Sequence, residues 1–235
     1  MRAVHSSTRP GFAARLSTVL RCVLVAVSVV AVFTAGCASA PDPAVPVQPG
    51  SSPSGAAPPP GQDDLQSALL TVSDLPPGFT EVSIPDELGL SSRDGCSLLD
   101  TDHASNTKAE ATVAFTGGQA TVSEVLLQMS TGGAGELMST LARVPGECAE
   151  FVSELVGLQI AFTATEFDFA PIGEETVAVR LTAQVSGLGV MLEEHVVAVR
   201  HADMVLVVSH AAPGSADRAV TETVTHAAYE KVAQR

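Results

Sequence analysis

The sequence has no tryptophan, a single tyrosine (Tyr229) and few basic residues, and these absences narrow the classes of protein it can belong to. Without aromatic platforms, the chain has little on which nucleic-acid bases or sugar rings can stack. The first 36 residues carry four arginines and no acid, so the remaining 199 residues carry 8 basic against 26 acidic side chains, a net charge of −18. Such a surface repels phosphate groups, so we expect no nucleic-acid partner.

Catalytic signatures are missing as well. The chain has no G-x-S-x-G elbow, and its glycine-rich stretch 131–135 lacks the Lys-Ser/Thr ending of a phosphate-binding loop. Asp102 and His103 lie in a predicted loop, and Glu166 and Asp168 share one side of a predicted strand. Neither pair comes with a pocket for acid–base chemistry, and surface positions explain both. We therefore predict a protein that is not an enzyme and carries no cofactor.

The N-terminus has the composition of an export signal. Four arginines precede an apolar run over Cys22–Phe33, and small residues follow, which is the order found in secretory signal peptides. The segment Thr34-Ala35-Gly36-Cys37 resembles a bacterial lipobox, in which cleavage exposes a cysteine that receives a lipid. The sequence thus predicts a signal peptide over 1–36 and lipidation of Cys37, which anchors the protein to the extracytoplasmic face of the cell membrane. Cleavage after Ala40 and an uncleaved anchor over Cys22–Ala40 are the alternatives.

A tether follows the lipidation site. Residues 38–61 contain eight prolines, several serines and glycines, a single acid and no aromatic residue. A segment of this composition cannot bury enough apolar surface to offset the entropy of ordering. Residues 37–61 are therefore predicted to be a lipidated cysteine and a flexible spacer, and the folded domain is predicted to occupy 62–235.

Two cysteines remain for the folded domain. Cys22 falls in the predicted signal peptide and Cys37 is the predicted lipid site, which leaves Cys96 and Cys148. Neither belongs to a C-x-x-C pair, so a metal site is the weaker interpretation, and an exported protein can form disulfides. We predict a structural disulfide between Cys96 and Cys148.

Hydrophobic periodicity within 62–235 predicts six strands and several helices. Alternation of apolar and polar residues marks the strands, at approximately 112–116, 122–129, 158–162, 176–185, 190–200 and 204–210. Helical spacing predicts a first helix, a helix pair interrupted by Pro145 and a terminal helix capped by Ser215. Glu147, Glu150 and Glu154 would then form one solvated face of the second helix of the pair. Tight turns between consecutive strands imply one α+β domain: a single antiparallel β-sheet of about six strands with helices packed on one face.

Two histidines form the most specific local arrangement. If Ala202-Asp203 is a two-residue hairpin loop, His195 lies opposite His210, on the face that also carries Val197 and Val208. Facing imidazoles could share a metal or act as a pH sensor, so both are weak candidate metal ligands. Two hydrogen-bonded or hydrated polar residues are the simpler interpretation, and a three-residue loop would remove the pair. We predict no metal site.

The chain resembles a known family through one segment and its element order. Leu69–Phe79 has the sequence LLTVSDLPPGF, and the predicted elements and two-cysteine core follow it. In these features the chain is similar to the sensor-domain lipoproteins of actinobacteria, which are related to the extracellular domain of PknH-type receptor kinases. The resemblance spans most of 62–235 and implies an extracytoplasmic domain with a ligand-binding cleft.

The expected function is binding without turnover. The last two strands carry apolar residues on both faces, whereas a sheet covered on one face needs them on one face only. The second apolar face could be covered by a helix or could line a cleft. We expect a groove with aliphatic walls between the sheet and the terminal helix, which binds a small or lipidic ligand of the cell envelope. The alternative is a structural or accessory envelope protein that docks on a partner protein through an exposed apolar patch.

Overall fold

The computed structural model describes residues 61–83, 95–99, 106–155, 158–185 and 189–235. The predicted signal peptide, Cys37, nearly all of the predicted tether, and Asp102 and His103 lie outside these ranges. The side chains of residues 154, 155, 158 and 185 also lie outside the described part of the structure. In the described ranges, no helix is both long and apolar enough to cross a membrane.

Eight antiparallel strands form one sheet in the order β1-β2-β3-β8-β7-β6-β5-β4. The strands are β1 (Thr80–Val82), β2 (Thr107–Gly117), β3 (Ala120–Met129), β4 (Glu150–Leu155), β5 (Leu158–Glu166), β6 (Glu175–Val185), β7 (Val190–His201) and β8 (Met204–Pro213). The helices are α1 (Gln62–Ala68), α2 (Gly133–Glu147) and α3 (Arg218–Ala233). The α+β class and the single antiparallel sheet are confirmed, and the sheet has eight strands where the sequence predicted about six.

The helices divide between the two faces of the sheet, which corrects the expectation that they share one. On one side, called the α3 face, Val197 and Leu206 pack with Val224 and other residues of α3, and α1 covers the same side. On the other, called the α2 face, the alternate positions of β7 and β8 pack against α2. Because successive residues of a strand point to opposite faces, two central strands that carry apolar residues on both faces require a cover on each side.

Strand β4 replaces a predicted helix. Phe151 is buried, Val152 is 54% exposed and Ser153 is buried, which is the period of a strand. The ring of Phe151 stacks on Phe162 of β5 with the ring centroids 4.9 Å apart. The predicted row of glutamates therefore does not exist, because Glu147 ends α2 and Glu150 begins β4.

Helix ends also differ from the predictions. Helix α2 continues through Pro145, which lies in its last turn and lacks the N–H that would have bonded to the carbonyl oxygen of Leu141. Helix α3 is capped by Asp217, whose Oδ1 accepts from the backbone N–H of Ala219 at 2.8 Å. Ser215, the predicted cap, lies two residues earlier. Asp217 thus supplies the side-chain acceptor that a helix N-terminus requires.

Candidate functional site

An aliphatic cleft lies between α2 and the sheet. Its wall is formed entirely by aliphatic side chains from α2, three strands and the segment before residue 100: Leu99, Leu141, Val144, Val177, Val179, Leu181, Val196, Ala198 and Val207. The cavity volume is about 20 Å³, room for about one water-sized group. The sequence predicted an aliphatic groove against the terminal helix. That interface is filled instead, since Val224, Ala228 and Val232 of α3 are at most 1% exposed.

The Cys96–Cys148 disulfide joins two walls of this cleft. Its Cα atoms lie 5.7 Å apart, and the bond closes a separation of 52 residues. Cys148 directly follows α2, and Cys96 begins the short stretch that delivers Leu99 to the cleft. Gly95, at a φ of 102°, lies against the carbonyl oxygen of Val152, where any side chain would collide. The disulfide therefore holds the end of α2 and the Leu99 segment together over the sheet.

The predicted histidine pair is present on the α3 face. Ala202 and Asp203 form the hairpin loop between β7 and β8, and His195 pairs with His210 in register. The rings lie 6.3 Å apart between centroids and meet edge to face at 74°. His195 is 1% exposed and His210 is 2% exposed. Both imidazoles are thus part of the core beneath α3.

Thr221 of α3 bridges the two imidazoles. Its Oγ1 lies 2.9 Å from Nδ1 of His195 and 2.9 Å from Nδ1 of His210, and Nε2 of His195 lies 3.0 Å from Oε1 of Glu193. A carboxylate only accepts, so Nε2 of His195 carries the proton and, in a neutral ring, Nδ1 is bare. The same Oγ1 also lies 3.2 Å from the backbone carbonyl oxygen of Asp217, to which it can donate. One hydroxyl group thus contacts both rings and the first turn of α3, and its single proton goes to one acceptor at a time.

Burial keeps these histidines neutral. It lowers the pKa of His195, against the neighbouring Glu193, which raises it, and the charges of Arg180 and Arg218 lower it further. Burial also lowers the pKa of His210, and the nearby His195 adds to this, while Asp217 opposes it. The ring of His195 stacks on Phe167 with centroids 4.0 Å apart.

The arrangement has the order of a catalytic triad, with a hydroxyl, an imidazole and a carboxylate in series. Thr221, however, is 0% exposed, so no substrate can reach its hydroxyl in this conformation. Three of the four ring nitrogens already have protein partners. Within the ranges that the structure describes, no group of three or more His, Cys, Asp or Glu side chains is arranged to hold a metal ion. The pair is best explained as a buried hydrogen-bonded network.

Glu124 is a buried acid that sequence reasoning missed. It lies on β3 at 0% exposure, its Oε2 accepts from the backbone N–H of Leu70 at 2.6 Å, and its Oε1 has no hydrogen-bond partner. Burial raises its pKa to about 7. Val122 and Leu126 are also fully buried, so the alternation along β3 placed Glu124 on the core side. This carboxyl holds the beginning of the LLTVSDLPPGF segment against the sheet.

The remaining predicted acids do not converge. Glu166 ends β5 and is exposed, and Asp168 is 92% exposed in its side chain, 3.4 Å from Arg218. No sequence pattern indicates that Thr221, Phe167 or Arg180 belongs to this site. Their proximity depends on where α3 and the end of β5 lie relative to the sheet, which no local pattern records.

The described fold is similar to that of an extracellular domain of known structure. No protein-family model and no curated protein sequence matches the chain. The extracellular domain of PknH from Mycobacterium tuberculosis is similar in structure, with a TM-score of 0.54 and 11% sequence identity, over 76% of this chain and 100% of that one. An uncharacterized protein of Mycobacterium smegmatis, the ortholog of Rv0999, has a TM-score of 0.39 and 14% identity, over 68% of this chain and 92% of its own. At these identities the likeness to PknH shows the fold alone.

Proposed function

We propose that this protein is a lipid-anchored domain on the extracytoplasmic face of the cell membrane, which binds a small or lipidic envelope ligand without chemical turnover. The observation that carries the proposal is the cleft on the α2 face, because its wall is aliphatic throughout. A site with no polar group offers nothing to orient a reacting bond, but it does offer apolar surface to an alkyl chain or ring.

The ligand must widen the cleft. A volume of about 20 Å³ admits no alkyl chain as it stands, so binding requires α2 to move away from the sheet. The sheet wall is held by strand pairing on both sides of β6 and β7. Helix α2 is held at its C-terminal end by Cys148 and begins at Gly133, after Gly132 in a left-handed conformation at φ 85°. We infer that α2 pivots about its disulfide-bonded end.

Export and anchoring are supported by the sequence and by the disulfide. The N-terminal 36 residues have the composition of a signal peptide, and Cys37 follows a lipobox-like segment. A structural disulfide belongs to an oxidising compartment. Intact-mass measurement of protein from membranes tests this part of the proposal: the mature chain should begin at Cys37 and carry the mass of its acyl groups, and an unmodified thiol there would contradict it.

A blocked cleft tests ligand binding. Val177 is partly buried and lines the cleft, so Val177→Trp fills its mouth with an indole. Titration of the purified protein with the neutral apolar dye Nile red should show saturable binding, weakened at least about tenfold in the variant, which corresponds to about 1.4 kcal/mol. Native mass spectrometry after incubation with envelope lipid extract should show a bound species for the wild type and none for Val177→Trp.

The matched control is Val152→Trp. Val152 is 54% exposed and lies on the α3 face of β4, away from the cleft, so this variant should bind Nile red as the wild type does. Equal binding by both tryptophan variants, or the absence of any bound species, would overturn the proposed ligand site. Circular dichroism melting of each variant separates a blocked cleft from a misfolded domain.

Docking on an envelope partner is a second candidate, favoured by an exposed row that holds three apolar residues and one glutamine. Val152 is adjacent to Ala161, Ala161 to Gln184, and Gln184 to Met191, so these residues run across four strands on one face. Val152 is 54% exposed and Met191 is 45% exposed. This function predicts no Nile red binding at the cleft, and an in-cell cross-link that V152E/M191E abolishes and Val177→Trp retains.

A further inference from the structure

Arg180 forms no ion pair with the residues that the structure describes. It lies on β6 directly opposite His195, with its Nε buried and without a hydrogen-bond acceptor. Residues 37–235 contain 26 acids and 8 bases, so a carboxylate to pair with it would be easy to supply. A guanidinium without a carboxylate partner in so acidic a domain indicates that an exchangeable hydrogen-bond acceptor binds there.

Arg218 brings a second guanidinium to the ring of Phe167. The guanidinium carbon of Arg180 is 5.4 Å from the centroid of the Phe167 ring, and that of Arg218 is 5.6 Å from it. Arg218 also has acidic neighbours: its Nε donates to Glu222 at 2.6 Å, and its Nη1 lies 3.4 Å from Asp168. Because Asp168 is 92% exposed, its ion pair is weak and a ligand anion can replace it.

The surface beside the two arginines is open and carries hydroxyl groups. Helix α3 begins at Arg218 and covers β7 and β8, and on the same face the threonines of β5 and β6 near Arg180 are exposed or partly exposed. Thr163 and Thr165 are exposed there, and Thr182, opposite Thr163, is partly exposed. Hydroxyl donors and acceptors beside a guanidinium suit a polar, oxygen-rich ligand and not an alkyl chain.

We propose that Arg180 and Arg218 form a binding site for an oxyanion, the phosphate or carboxylate group of a small soluble molecule, beside the threonines of β5 and β6. A guanidinium presents N–H donors in a planar fork that matches two oxygens of such a group. The domain's net negative charge repels anions at long range, so the affinity must come from short-range contacts with the two guanidinium groups. The site lies on the opposite face of the sheet from the aliphatic cleft and does not depend on the function proposed for that cleft.

Contact with Phe167 alone is the competing explanation for Arg180. A guanidinium over an aromatic ring is stabilised by the ring's electrons without any anion. In that case Arg180 contributes to folding and binds nothing. Binding and stability must therefore be measured separately, with a variant that keeps the charge and loses the fork.

The test titrates the purified protein with inorganic phosphate and, separately, with succinate, with sodium chloride holding the ionic strength constant. Calorimetry should show saturable binding of at least one of the two, and Arg180→Met should weaken it at least about tenfold. Arg180→Lys, which keeps the charge without the planar fork, should retain part of the affinity. Binding that distinguishes phosphate from succinate identifies which oxyanion the site prefers.

Arg143→Met is the matched control. Arg143 is an exposed arginine of α2, paired with Glu147 and far from Phe167, so its loss removes one positive charge elsewhere. If Arg143→Met weakens binding as much as Arg180→Met does, the affinity is non-specific and the site is refuted. Absence of binding by both probes, or binding unchanged in Arg180→Met, refutes it as well. Nile red binding should be unaffected by Arg180→Met, so failure here and failure of the cleft are distinguishable.

A spectroscopic readout follows from the position of His195. Arg180 from β6 and Arg218 from α3 lower its pKa, Glu193 of β7 raises it, and His210 faces it from β8. An anion bound between the arginines offsets their charges, so the pKa of His195 should rise when the probe is added. The imidazole NMR signals should report that rise in the wild type and not in Arg180→Met, even if both proteins are equally stable.

Discussion

The two faces of the sheet bury different chemistry. On the α2 face, Ser153 is the only buried polar side chain that the described residues contribute, and the Cys96–Cys148 disulfide ties the covering layer. The α3 face buries a carboxyl, two imidazoles and two hydroxyls: Glu124, His195, His210, Thr221 and Thr225. The α2 face therefore depends on apolar burial and redox state. The stability of the α3 face depends on the protonation states of these groups and on their hydrogen bonds, all of which must be satisfied.

The difference teaches which conditions each face can respond to. An aliphatic layer has no group that titrates, so pH leaves it unchanged, and its covalent tie makes it sensitive to reductant. A face with buried acids and bases changes its stability whenever a proton is gained or lost. A domain with this division can change its stability with reductant on one side and with pH on the other.

Removing the disulfide should have the largest effect. A crosslink that closes a separation of 52 residues stabilises by about 4 kcal/mol in the chain-entropy model. The double variant Cys96→Ser/Cys148→Ser should lose that amount of unfolding free energy in urea denaturation at pH 7. Because the disulfide lies at the α2 face, the loss should be the same at pH 5 and pH 8.

Reductant supplies the control for that prediction. Dithiothreitol should destabilise the wild type by the same amount and leave the double variant unchanged. A double variant as stable as the oxidised wild type would show that the covering layer does not need its covalent tie. The contrast between the two faces would then rest on side-chain chemistry alone.

Glu124 should give the next largest effect, on the other face. Burial raises its pKa from 4.5 to about 7, so the folded protein holds a proton that the unfolded chain releases at lower pH. This group therefore favours folding most below pH 4.5, and its contribution is lost as the pH rises through about 7. The shift corresponds to about 3 kcal/mol. Glu124→Gln removes the ionisation and keeps an oxygen to accept from Leu70.

The measurement is the difference in unfolding free energy between Glu124→Gln and the wild type from pH 4.5 to 8. That difference should increase in favour of the variant as the pH rises, by up to about 3 kcal/mol. The histidines act in the opposite direction: their pKa values are lowered by burial, so their contribution is lost as the pH falls below 6.5. Subtraction of the two proteins cancels the histidine part. A difference that stays constant with pH would mean that Glu124 is ionised in the fold.

How far the sequence predicts this molecule depends on whether a pattern is local. The pairing of His195 with His210 follows from a two-residue loop, because loop length sets the register of a hairpin. Strand β4 was mistaken for a helix because apolar residues at 151, 152 and 155 suit either period, and the stacking of Phe151 on Phe162 decides between them. The burial of Glu124 could be predicted from the alternation along β3, which places it on the same side as Val122 and Leu126.

The rest of the site depends on distances between elements. Thr221 is a threonine on a helix, and nothing in its neighbours reveals that two imidazoles from the sheet meet its hydroxyl. The same holds for Arg180. The alternation along β6 predicts an exposed side chain there, but its Nε is buried. The cleft was expected against the terminal helix because the sequence pattern did not show which helix would cover which face. Packing of α2 and α3 on opposite sides settles that question.

Thr221→Val should have the smallest effect of the three, and it separates the hydrogen-bonded network from simple burial. The substitution keeps the volume and removes the hydroxyl that both Nδ1 atoms contact at 2.9 Å. A polar ring nitrogen left without its partner in the core costs about 2 kcal/mol, which urea denaturation at pH 7.5 should measure.

Thr225→Val is its matched control, because Thr225 is equally buried, lies one turn further along α3, and donates only to the backbone carbonyl of Thr221. That carbonyl can keep its helical hydrogen bond, so the control should lose less than about 1 kcal/mol. Equal losses in the two variants would mean that the histidines do not depend on the Thr221 hydroxyl. The α3 face would then resemble the α2 face in tolerating apolar replacement, and Glu124 alone would distinguish them.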